Sequence, residues 1–304
     1  MSDIYDLIII GAGPAGITAG VYAARKKMNL LIITKDIGGQ AAWSGDVENY
    51  TGYQFITGPE LAEKFEEHMR KYGIKVRDNE EAKDIRREGN LVIVKTDLDT
   101  YRARAVIVAS GKRSRELGVE GEKEFKNKGV TFCATCDGPL FSGKEVAVIG
   151  GGNSALDAAL QMMEISPKVY IINITSELTG DPIMIEKIKG SPRVEIWNNS
   201  RVKSIYGDSF VKGMKIEKEG KEYDLKVKGI FVEIGLIPNS EFASSLERNK
   251  GGEIVVDCYN HTNVEGIFSA GDVTNVPEKQ IIIACGEGSK ASLAAFKYLS
   301  THRF

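Results

Sequence analysis

Two cysteines separated by two residues, Cys133 and Cys136, are the residues of this 304-residue chain best suited to chemistry, and Asp137 follows them directly. Such a pair can form and break one disulfide through attack of a thiolate on sulfur. A carboxylate beside the pair can supply or remove the proton that each exchange step requires. The pattern therefore predicts catalytic roles for Cys133, Cys136 and Asp137 in a redox reaction.

A zinc site is the main alternative for a Cys-x-x-Cys pair, but it normally requires a second pair of cysteine or histidine ligands. The other two cysteines, Cys258 and Cys285, are isolated, and the three histidines are scattered along the chain. We therefore predict redox chemistry and no metal site.

Two glycine-rich segments flank the cysteine pair. Residues 11–16 read Gly-Ala-Gly-Pro-Ala-Gly, and residues 150–155 read Gly-Gly-Gly-Asn-Ser-Ala. Each follows a short apolar segment and precedes an alanine-rich one, which is the strand–turn–helix context of a dinucleotide-binding G-x-G-x-x-G/A motif. Its glycines permit the tight turn and the close approach of a pyrophosphate to the helix N-terminus. The predicted binding residues of the two turns are Gly11, Ala12, Gly13, Pro14, Ala15 and Gly16, and Gly150, Gly152, Asn153, Ser154 and Ala155.

Length and composition indicate an ordinary globular protein of two domains, because 304 residues exceed the usual size of a single core. The formal net charge of −2 leaves no basic field for nucleic acid. The apolar runs are of strand length, too short to span a bilayer, and no secretory signal is readable at the N-terminus. Four cysteines in a long chain fit a reducing compartment. We expect a cytoplasmic protein that binds neither nucleic acid nor membrane.

Mostly apolar runs at residues 5–10, 30–34, 105–109 and 145–149 are typical of strands buried on both faces of a parallel sheet. The expected fold class is therefore α/β, with two Rossmann-like nucleotide-binding domains. Further expectations are a helix over residues 59–72 capped by Thr57, a final helix over 288–299, and a small antiparallel excursion made of 194–205, 213–218 and 223–227.

Both glycine motifs lack the acidic residue that often binds a nucleotide ribose at the end of the second strand. Residues 34–36 read Thr-Lys-Asp, so an acid comes only late. Residues 173–179 read Asn-Ile-Thr-Ser-Glu-Leu-Thr, with no acid at the strand end and no arginine. Because an acid would favour NAD and an arginine NADP, the sequence leaves the choice between NADH and NADPH open.

On these residues the chain resembles the low-molecular-weight thioredoxin reductases along nearly its whole length. The matching segments are residues 11–16, 38–40, 49, 57–61, 110–111, 133–137, 150–155, 235–239, 271–274 and 279–280. The resemblance implies an FAD-binding domain made of residues 1–112 and 241–304. It also implies an inserted NAD(P)-type domain, residues 113–240, that carries the cysteine pair. A homodimer and a rotation between the domains are implied as well.

The resemblance also implies roles for single residues. Cys136 would face the flavin, Cys133 would attack the disulfide of a partner, and Asp137 would handle protons. Besides the first glycine turn, the residues implied for FAD are Gly39, Gln40, Asn49, Ala109, Gly111, Gly271, Asp272, Lys279 and Gln280. The chain departs from the family where NADPH is read: a His-Arg-Arg run and a further arginine are replaced by Asn173, Ile174, Thr175 and Thr179.

The expected function is that of an enzyme, a thioredoxin-disulfide reductase. Electrons would pass from NADPH, NADH or another donor through FAD and the Cys133–Cys136 disulfide to thioredoxin or a glutaredoxin-like protein. One alternative is a flavin-dependent NAD(P)H oxidase or a ferredoxin-linked flavoprotein reductase. Another is a flavin-bound redox sensor that is not an enzyme. The cysteine pair followed by an aspartate weighs against both.

Overall fold

The computed structural model describes residues 4–43, 46–47 and 49–302, without the side chains of Asp46, Thr135 and Cys136. Its helices are α1 (Pro14–Arg25), α2 (Gly58–Lys71), α3 (Ala134–Asp137), α4 (Asn153–Ile165), α5 (Pro182–Lys189) and α6 (Ile281–Thr301), with 3₁₀ turns at Gly39–Trp43 and Gly138–Phe141. Its strands are β1 (Ile4–Ala12), β2 (Leu30–Ile37), β3 (Asp46–Val47), β4 (Ile56–Thr57), β5 (Lys75–Arg77), β6 (Ala82–Glu88), β7 (Leu91–Thr96), β8 (Thr100–Val108), β9 (Lys112–Ser114), β10 (Val130–Thr131), β11 (Val146–Ile149), β12 (Val169–Ile172), β13 (Val194–Trp197), β14 (Ser200–Gly207), β15 (Val211–Lys218), β16 (Lys221–Leu225), β17 (Gly229–Val232), β18 (Leu236–Pro238) and β19 (Ile267–Ser269). No helix within the described ranges is both long and apolar enough to cross a membrane.

The chain divides into two compact units. Unit 1 consists of Met1–Arg113 and Ile237–Phe304, and unit 2 consists of Ser114–Leu236. The sequence predicts that the chain leaves the first domain after residue 112 and returns to it after residue 240. In the structure, the first part of unit 1 ends at 113 and unit 2 ends at 236.

Unit 1 is built on a sheet in the order β5-β2-β1-β8-β7-β6, with β19 also paired to β8. Strands β5, β2, β1, β8 and β19 run parallel, and β7 and β6 continue the sheet in antiparallel fashion. Successive side chains of β1 enter different cores: Leu7 and Ile9 pack with α1 and α6, and Ile8 and Ile10 pack on the opposite face. Both faces of β1 are covered, which explains its continuous apolar run.

Two helices of unit 1 test the helix predictions. Helix α2 begins at Gly58, and its N-cap Thr57 forms a capping box with Glu60, so the predicted helix and cap are confirmed. Helix α6 begins at Ile281, seven residues before the predicted start at 288. Gly288 is a contact residue within that helix, because a Cβ built on it would lie 2.1 Å from the carbonyl oxygen of Ala15 in α1.

Unit 2 has a parallel sheet in the order β10-β17-β11-β12-β13, and α4 follows β11. A separate antiparallel sheet is formed by β14, β15 and β16. The antiparallel prediction is wrong for Val194–Trp197, which is β13 and pairs parallel with β12. Its side chains are half-buried or exposed, as at a sheet edge, so the sequence alternates as an antiparallel strand would.

Candidate active site

The first glycine turn of unit 1 joins β1 to α1. Gly11 has a φ of 106°, and a Cβ built on it would lie 2.3 Å from the carbonyl oxygen of Ala109. A Cβ on Gly16 would lie 1.9 Å from the carbonyl oxygen of Gly11. Gly13, the N-cap of α1, faces open space, and the nearest atom to its built Cβ is the Cα of Gly39 at 4.0 Å. The turn is thus closed toward the sheet and open where a pyrophosphate would approach the helix N-terminus.

Several residues predicted to bind FAD meet around this turn in unit 1. Gly39 lies opposite Gly13, and the next residue, Gln40, donates from Nε2 to the carbonyl oxygen of Lys112 at 2.5 Å. Asn49 Nδ2 donates to Gln280 Oε1 at 3.1 Å. The structure therefore brings together residues that lie far apart in the sequence.

Asp272 follows β19 and is half-buried. Burial raises the pKa of its carboxyl group, although the positive charges of Lys279 and Lys112 act in the opposite direction. Both lysines pair with Glu253, at 3.1 and 2.9 Å. Partial burial alone would raise the pKa of Glu253, but hydrogen bonds from Lys112, Asn249 and Lys279 hold it at about 2. Lys279, predicted to bind the cofactor, also donates to two backbone carbonyls of its own loop.

These features of unit 1 fit the FAD that the sequence implies. The space at Gly13 is one that a Cβ would fill, and no side chain caps α1 because its N-cap residue is a glycine. A half-buried carboxylate such as that of Asp272 is stabilised by a hydrogen-bond donor, which a sugar-like hydroxyl provides. Ala109 and Gly111 follow β8, and Gly111 has a φ of 63° with no atom near its built Cβ.

In unit 2, the cysteine segment begins where β10 ends. Cys133 is disulfide-bonded, and its backbone N–H donates to Thr131 Oγ1 at 3.2 Å. The Thr131 hydroxyl in turn donates to Asp137 Oδ2. The backbone of Cys136 lies in α3, but its side chain is outside the described part, so its predicted role has no geometry to support it. Thr131 was missed in the sequence; its only signal is a threonine two residues before the first cysteine.

The second glycine turn joins β11 to α4 and lies in a cavity of about 730 Å³. Gly150 has a φ of 136°, and its built Cβ would lie 2.2 Å from the carbonyl oxygen of Glu233 and 2.9 Å from Ala155 Cβ. Four predicted residues line this cavity, and the fifth, Ala155, is buried beneath it. The lining predicted residues are Gly150, Gly152, Asn153 and Ser154.

Asn173 occupies the position, just after β12, where a ribose-binding acid is expected. It is 3% exposed, and its Nδ2 donates to Thr175 O at 3.2 Å, Glu177 O at 2.9 Å and Asn198 Oδ1 at 2.9 Å. Its Oδ1 accepts from the backbone and hydroxyl of Thr175. Asn173 therefore organises its own loop. Ile174, Thr175 and Thr179 line the cavity beside it without charge.

Three charged residues line the same cavity and were missed in the sequence: Arg115, Arg201 and Glu233. Arg201 is near Asn173, because the backbone N–H of its neighbour Ser200 donates to Asn173 O at 2.9 Å. Burial raises the pKa of Glu233 to about 7, against a hydrogen bond from the backbone N–H of Ala134 and together with the negative charge of Asp157. These residues come from segments remote from the glycine motif, so sequence spacing gives no sign of them.

Comparison with known proteins shows which family has this arrangement. Residues 5–288 match the model of the pyridine nucleotide-disulphide oxidoreductase family. The chain is 41% identical over 300 residues to an NADH dehydrogenase of Ferdinandcohnia aciditolerans, covering 98% of this chain and 58% of that protein. It is 41% identical over 305 residues to an alkyl hydroperoxide reductase component from Escherichia coli, with the same coverage, 98% and 58%. The chain thus spans somewhat more than half the length of these relatives.

Solved structures match over nearly the whole chain. Thioredoxin reductase of Lactococcus lactis superposes with a TM-score of 0.87 at 33% identity, covering 98% of this chain and 100% of that one. That of T. acidophilum gives a TM-score of 0.83 at 38% identity, covering 96% and 98%. The predicted α/β class with two Rossmann-like domains is confirmed, and the family implies FAD and a pyridine nucleotide as cofactors. The chain belongs to the pyridine nucleotide-disulphide oxidoreductase family.

Proposed function

We propose that the protein is a thioredoxin-type disulfide reductase that uses FAD and a pyridine nucleotide. The observation that carries the proposal is the cysteine segment: Cys133 is disulfide-bonded, and the Thr131 hydroxyl that accepts from the Cys133 backbone N–H donates to the Asp137 carboxylate. A dinucleotide-type cavity lies in the same unit, and a second glycine turn of the same kind lies in unit 1. The full-length similarity to two thioredoxin reductases supports this function.

FAD would be held in unit 1, where Gly13 and Gly39 leave room for the pyrophosphate and Asp272 would accept from a ribityl hydroxyl. Asn49 and Gln280 would position the cofactor as a hydrogen-bonded pair. When bound, FAD supplies transfer of two electrons from the pyridine nucleotide, a chemistry that no protein side chain provides.

The Cys133–Cys136 disulfide would accept two electrons and two protons and become a dithiol. Cys133, as the thiolate, would then attack one sulfur of the partner's disulfide, forming a mixed disulfide and releasing one partner thiolate. Cys136 would attack the Cys133 sulfur, which restores the internal disulfide and frees the second partner thiolate. Asp137, oriented by the Thr131 hydroxyl, would take and return the protons. Thioredoxin or a glutaredoxin-like protein is the proposed partner, and a homodimer is the proposed assembly.

NADH is the proposed electron donor in preference to NADPH. Asn173 is occupied by its own loop, and Ile174, Thr175 and Thr179 bring no positive charge to the adenosine side of the cavity. A 2′-phosphate is recognised best by paired arginines. On the adenosine side of the cavity, the described lining residues provide Arg201 for this role and not a pair. The name NADH dehydrogenase, carried by two relatives, agrees with this preference.

That name also agrees with a second candidate function, the oxidation of NADH, for which we propose oxygen as acceptor and no use of the cysteines. The two functions differ in their dependence on the cysteine pair. Steady production of hydrogen peroxide that survives the loss of Cys133 and Cys136 would support the oxidase.

The test is an anaerobic titration of the flavoprotein with NADH and separately with NADPH, followed by disulfide turnover with thioredoxin. In Cys136→Ser, flavin bleaching by NADH should persist, and disulfide turnover should fall by at least about a hundredfold because the mixed disulfide cannot be resolved. Cys258→Ser, which changes an exposed free cysteine, is the matched control and should retain both activities. Full turnover in Cys136→Ser would remove the cysteine pair from the mechanism.

A further inference from the structure

Glu233 is a half-buried acid that the proposed mechanism does not use. It comes directly after β17, and β17 is the neighbour of β11 in the parallel sheet. Its backbone N–H donates to Ile149 O at 2.8 Å, and its carbonyl oxygen faces Gly150. Ligands of such sheets bind outside the carboxyl ends of the strands, where the connections leave in opposite directions. Glu233 stands at that place, beside the phosphate-binding turn.

The positions of the other lining residues show which part of a dinucleotide Glu233 would meet. The adenosine ribose is read at the end of the second strand, here β12, next to Asn173 and Thr175. The pyrophosphate belongs at Gly150 and the N-terminus of α4. Strand β17 lies on the other side of β11 from β12. The remaining half of the ligand, the nicotinamide riboside, must therefore extend toward Glu233.

Glu233 also contacts the cysteine segment. Its carboxylate accepts a hydrogen bond from the backbone N–H of Ala134, the residue directly after Cys133. A carboxylate has room for several donors on its two oxygens. The amide of a nicotinamide ring is such a donor, and the ring of the oxidised cofactor carries a positive charge.

We propose that Glu233 is a recognition residue for the nicotinamide half of the dinucleotide, its carboxylate shared between the ligand and the Ala134 N–H. This inference rests on the proposed function, because it requires a pyridine nucleotide in this cavity. Glu233 then prefers the oxidised ring, whose positive charge it stabilises. The same carboxylate ties the segment that carries Cys133 to the occupied nucleotide site.

The charged groups around Glu233, together with the bound nicotinamide ring, determine whether nucleotide affinity rises or falls with pH. Asp157 from α4 adds a negative charge, Arg115 lines the same cavity, and a disulfide-bonded Cys133 on the Ala134 side is uncharged. Burial raises the pKa of Glu233 to about 7 in the free protein. A bound nicotinamide cation favours the carboxylate, so its binding lowers that pKa and releases a proton. Affinity for NAD⁺ must then rise as the pH increases through neutrality.

The test compares NAD⁺ with ADP-ribose, which has the same adenosine, pyrophosphate and second ribose but no nicotinamide. Dissociation constants are measured by calorimetry on the oxidised flavoprotein from pH 6 to pH 8. NAD⁺ should bind roughly five- to tenfold more tightly at pH 8 than at pH 6, the change expected for one acid titrating near pH 7. ADP-ribose should show less than about a twofold change over the same range.

Glu233→Gln keeps the shape of the side chain and removes its charge. In this variant the pH dependence of NAD⁺ binding should disappear and that of ADP-ribose should be unchanged. Glu145→Gln is the matched control, since Glu145 is an exposed acid at the amino end of β11. It should leave the dissociation constants of NAD⁺ and ADP-ribose, and their pH dependence, as in the wild type.

Parallel pH profiles for NAD⁺ and ADP-ribose in the wild type would overturn the inference without any variant. So would a Glu233→Gln protein that retains the NAD⁺ profile. If the wild type binds neither ligand at any pH, the pyridine-nucleotide part of the proposed function fails, and this inference fails with it. These two kinds of failure are distinct in the wild-type data alone.

Discussion

The two glycine turns have the same place in their sheets, but they are packed differently. In unit 1 the third motif position is Gly16, whose built Cβ would lie 1.9 Å from the carbonyl oxygen of Gly11. In unit 2 the corresponding residue is Ala155, and its Cβ would be 2.9 Å from one built on Gly150. Helix α1 therefore lies closer to its turn than α4 does. The first turn therefore has no room for a Cβ at Gly11 or at Gly16, whereas the second turn accommodates the methyl group of Ala155 at its third motif position.

The polar residue that follows the apolar part of the second strand differs as well: Thr34 lies within β2, and Asn173 comes directly after β12. In unit 1 the hydroxyl of Thr34 accepts a hydrogen bond from the backbone N–H of Ala12 at 3.1 Å, which connects β2 to the turn. In unit 2 Asn173 bonds to its own loop and to Asn198 Oδ1, and a Cβ on Gly151 would lie 2.5 Å from Asn173 Oδ1. Both positions lack the usual acid because the side chain there serves the turn or the loop. Ribose and phosphate recognition must then come from other residues.

The largest effect is expected from Gly11→Ala, because the new Cβ would meet Ala109 O at 2.3 Å in a backbone of positive φ. The purified protein should retain less than about a tenth of its flavin, since backbone overlap cannot be relieved by a side-chain shift. Flavin absorbance per protein measures this. Gly89→Ala, also of positive φ but in open space, is the control and should keep its flavin. A fully yellow Gly11→Ala protein would contradict the assignment of this turn to FAD.

A glycine-to-alanine change in the second turn distinguishes the proposed nucleotide site from the proposed flavin site. In Gly150→Ala the new Cβ would lie 2.2 Å from Glu233 O, so the nucleotide site should be disrupted and the flavin retained. Flavin reduction by NADH should slow by roughly ten- to a hundredfold, because a 1 Å misplacement of the ligand is enough for such a loss. Gly220→Ala, with positive φ and no close atom, is the control in unit 2. Normal reduction of Gly150→Ala by NADH would place the nucleotide elsewhere.

Sequence reasoning found both turns because all their parts lie within a short stretch of chain. It missed Glu233 and Arg201. Glu233 lies near the Gly150 turn because β17 is the neighbour of β11 in the sheet, and Arg201 lies near Asn173 because the backbone N–H of Ser200 bonds to Asn173 O. Sequence reasoning also placed the start of α6 too late, because Gly288 was interpreted as a helix boundary and not as a contact with Ala15. Local chemistry could be predicted from the residues alone, whereas contacts between distant segments could be predicted only where the family resemblance implied them, as for Asn49 and Gln280.

A smaller effect is expected from Arg201→Gln, which tests whether Arg201 replaces the missing arginines after β12. Removing an exposed cation near the adenosine side should weaken NADP⁺ binding by about three- to tenfold, since the interaction is with a doubly charged phosphate. NAD⁺ binding should change by less than about twofold. Calorimetry with both nucleotides at low and high salt measures the difference. An equal loss for NAD⁺ and NADP⁺ would show that Arg201 supports the loop and does not read the phosphate.

The smallest effect on function is expected from Thr34→Val, which removes the bond to Ala12 while keeping the shape. The change removes two hydrogen bonds of the Thr34 hydroxyl, the one from the Ala12 N–H in a residue only 1% exposed and the one to the carbonyl oxygen of Asp36, which together should lower the free energy of unfolding by about 1–3 kcal/mol. Because the Gly13 backbone that faces the cofactor is unchanged, flavin affinity should fall by less than about threefold. Thermal unfolding and flavin titration measure the two effects, with Thr51→Val at an exposed position as control. If Thr34→Val loses flavin as readily as Gly11→Ala, Thr34 contacts the cofactor itself, and the contrast with Asn173 would then be one of recognition and not of loop architecture.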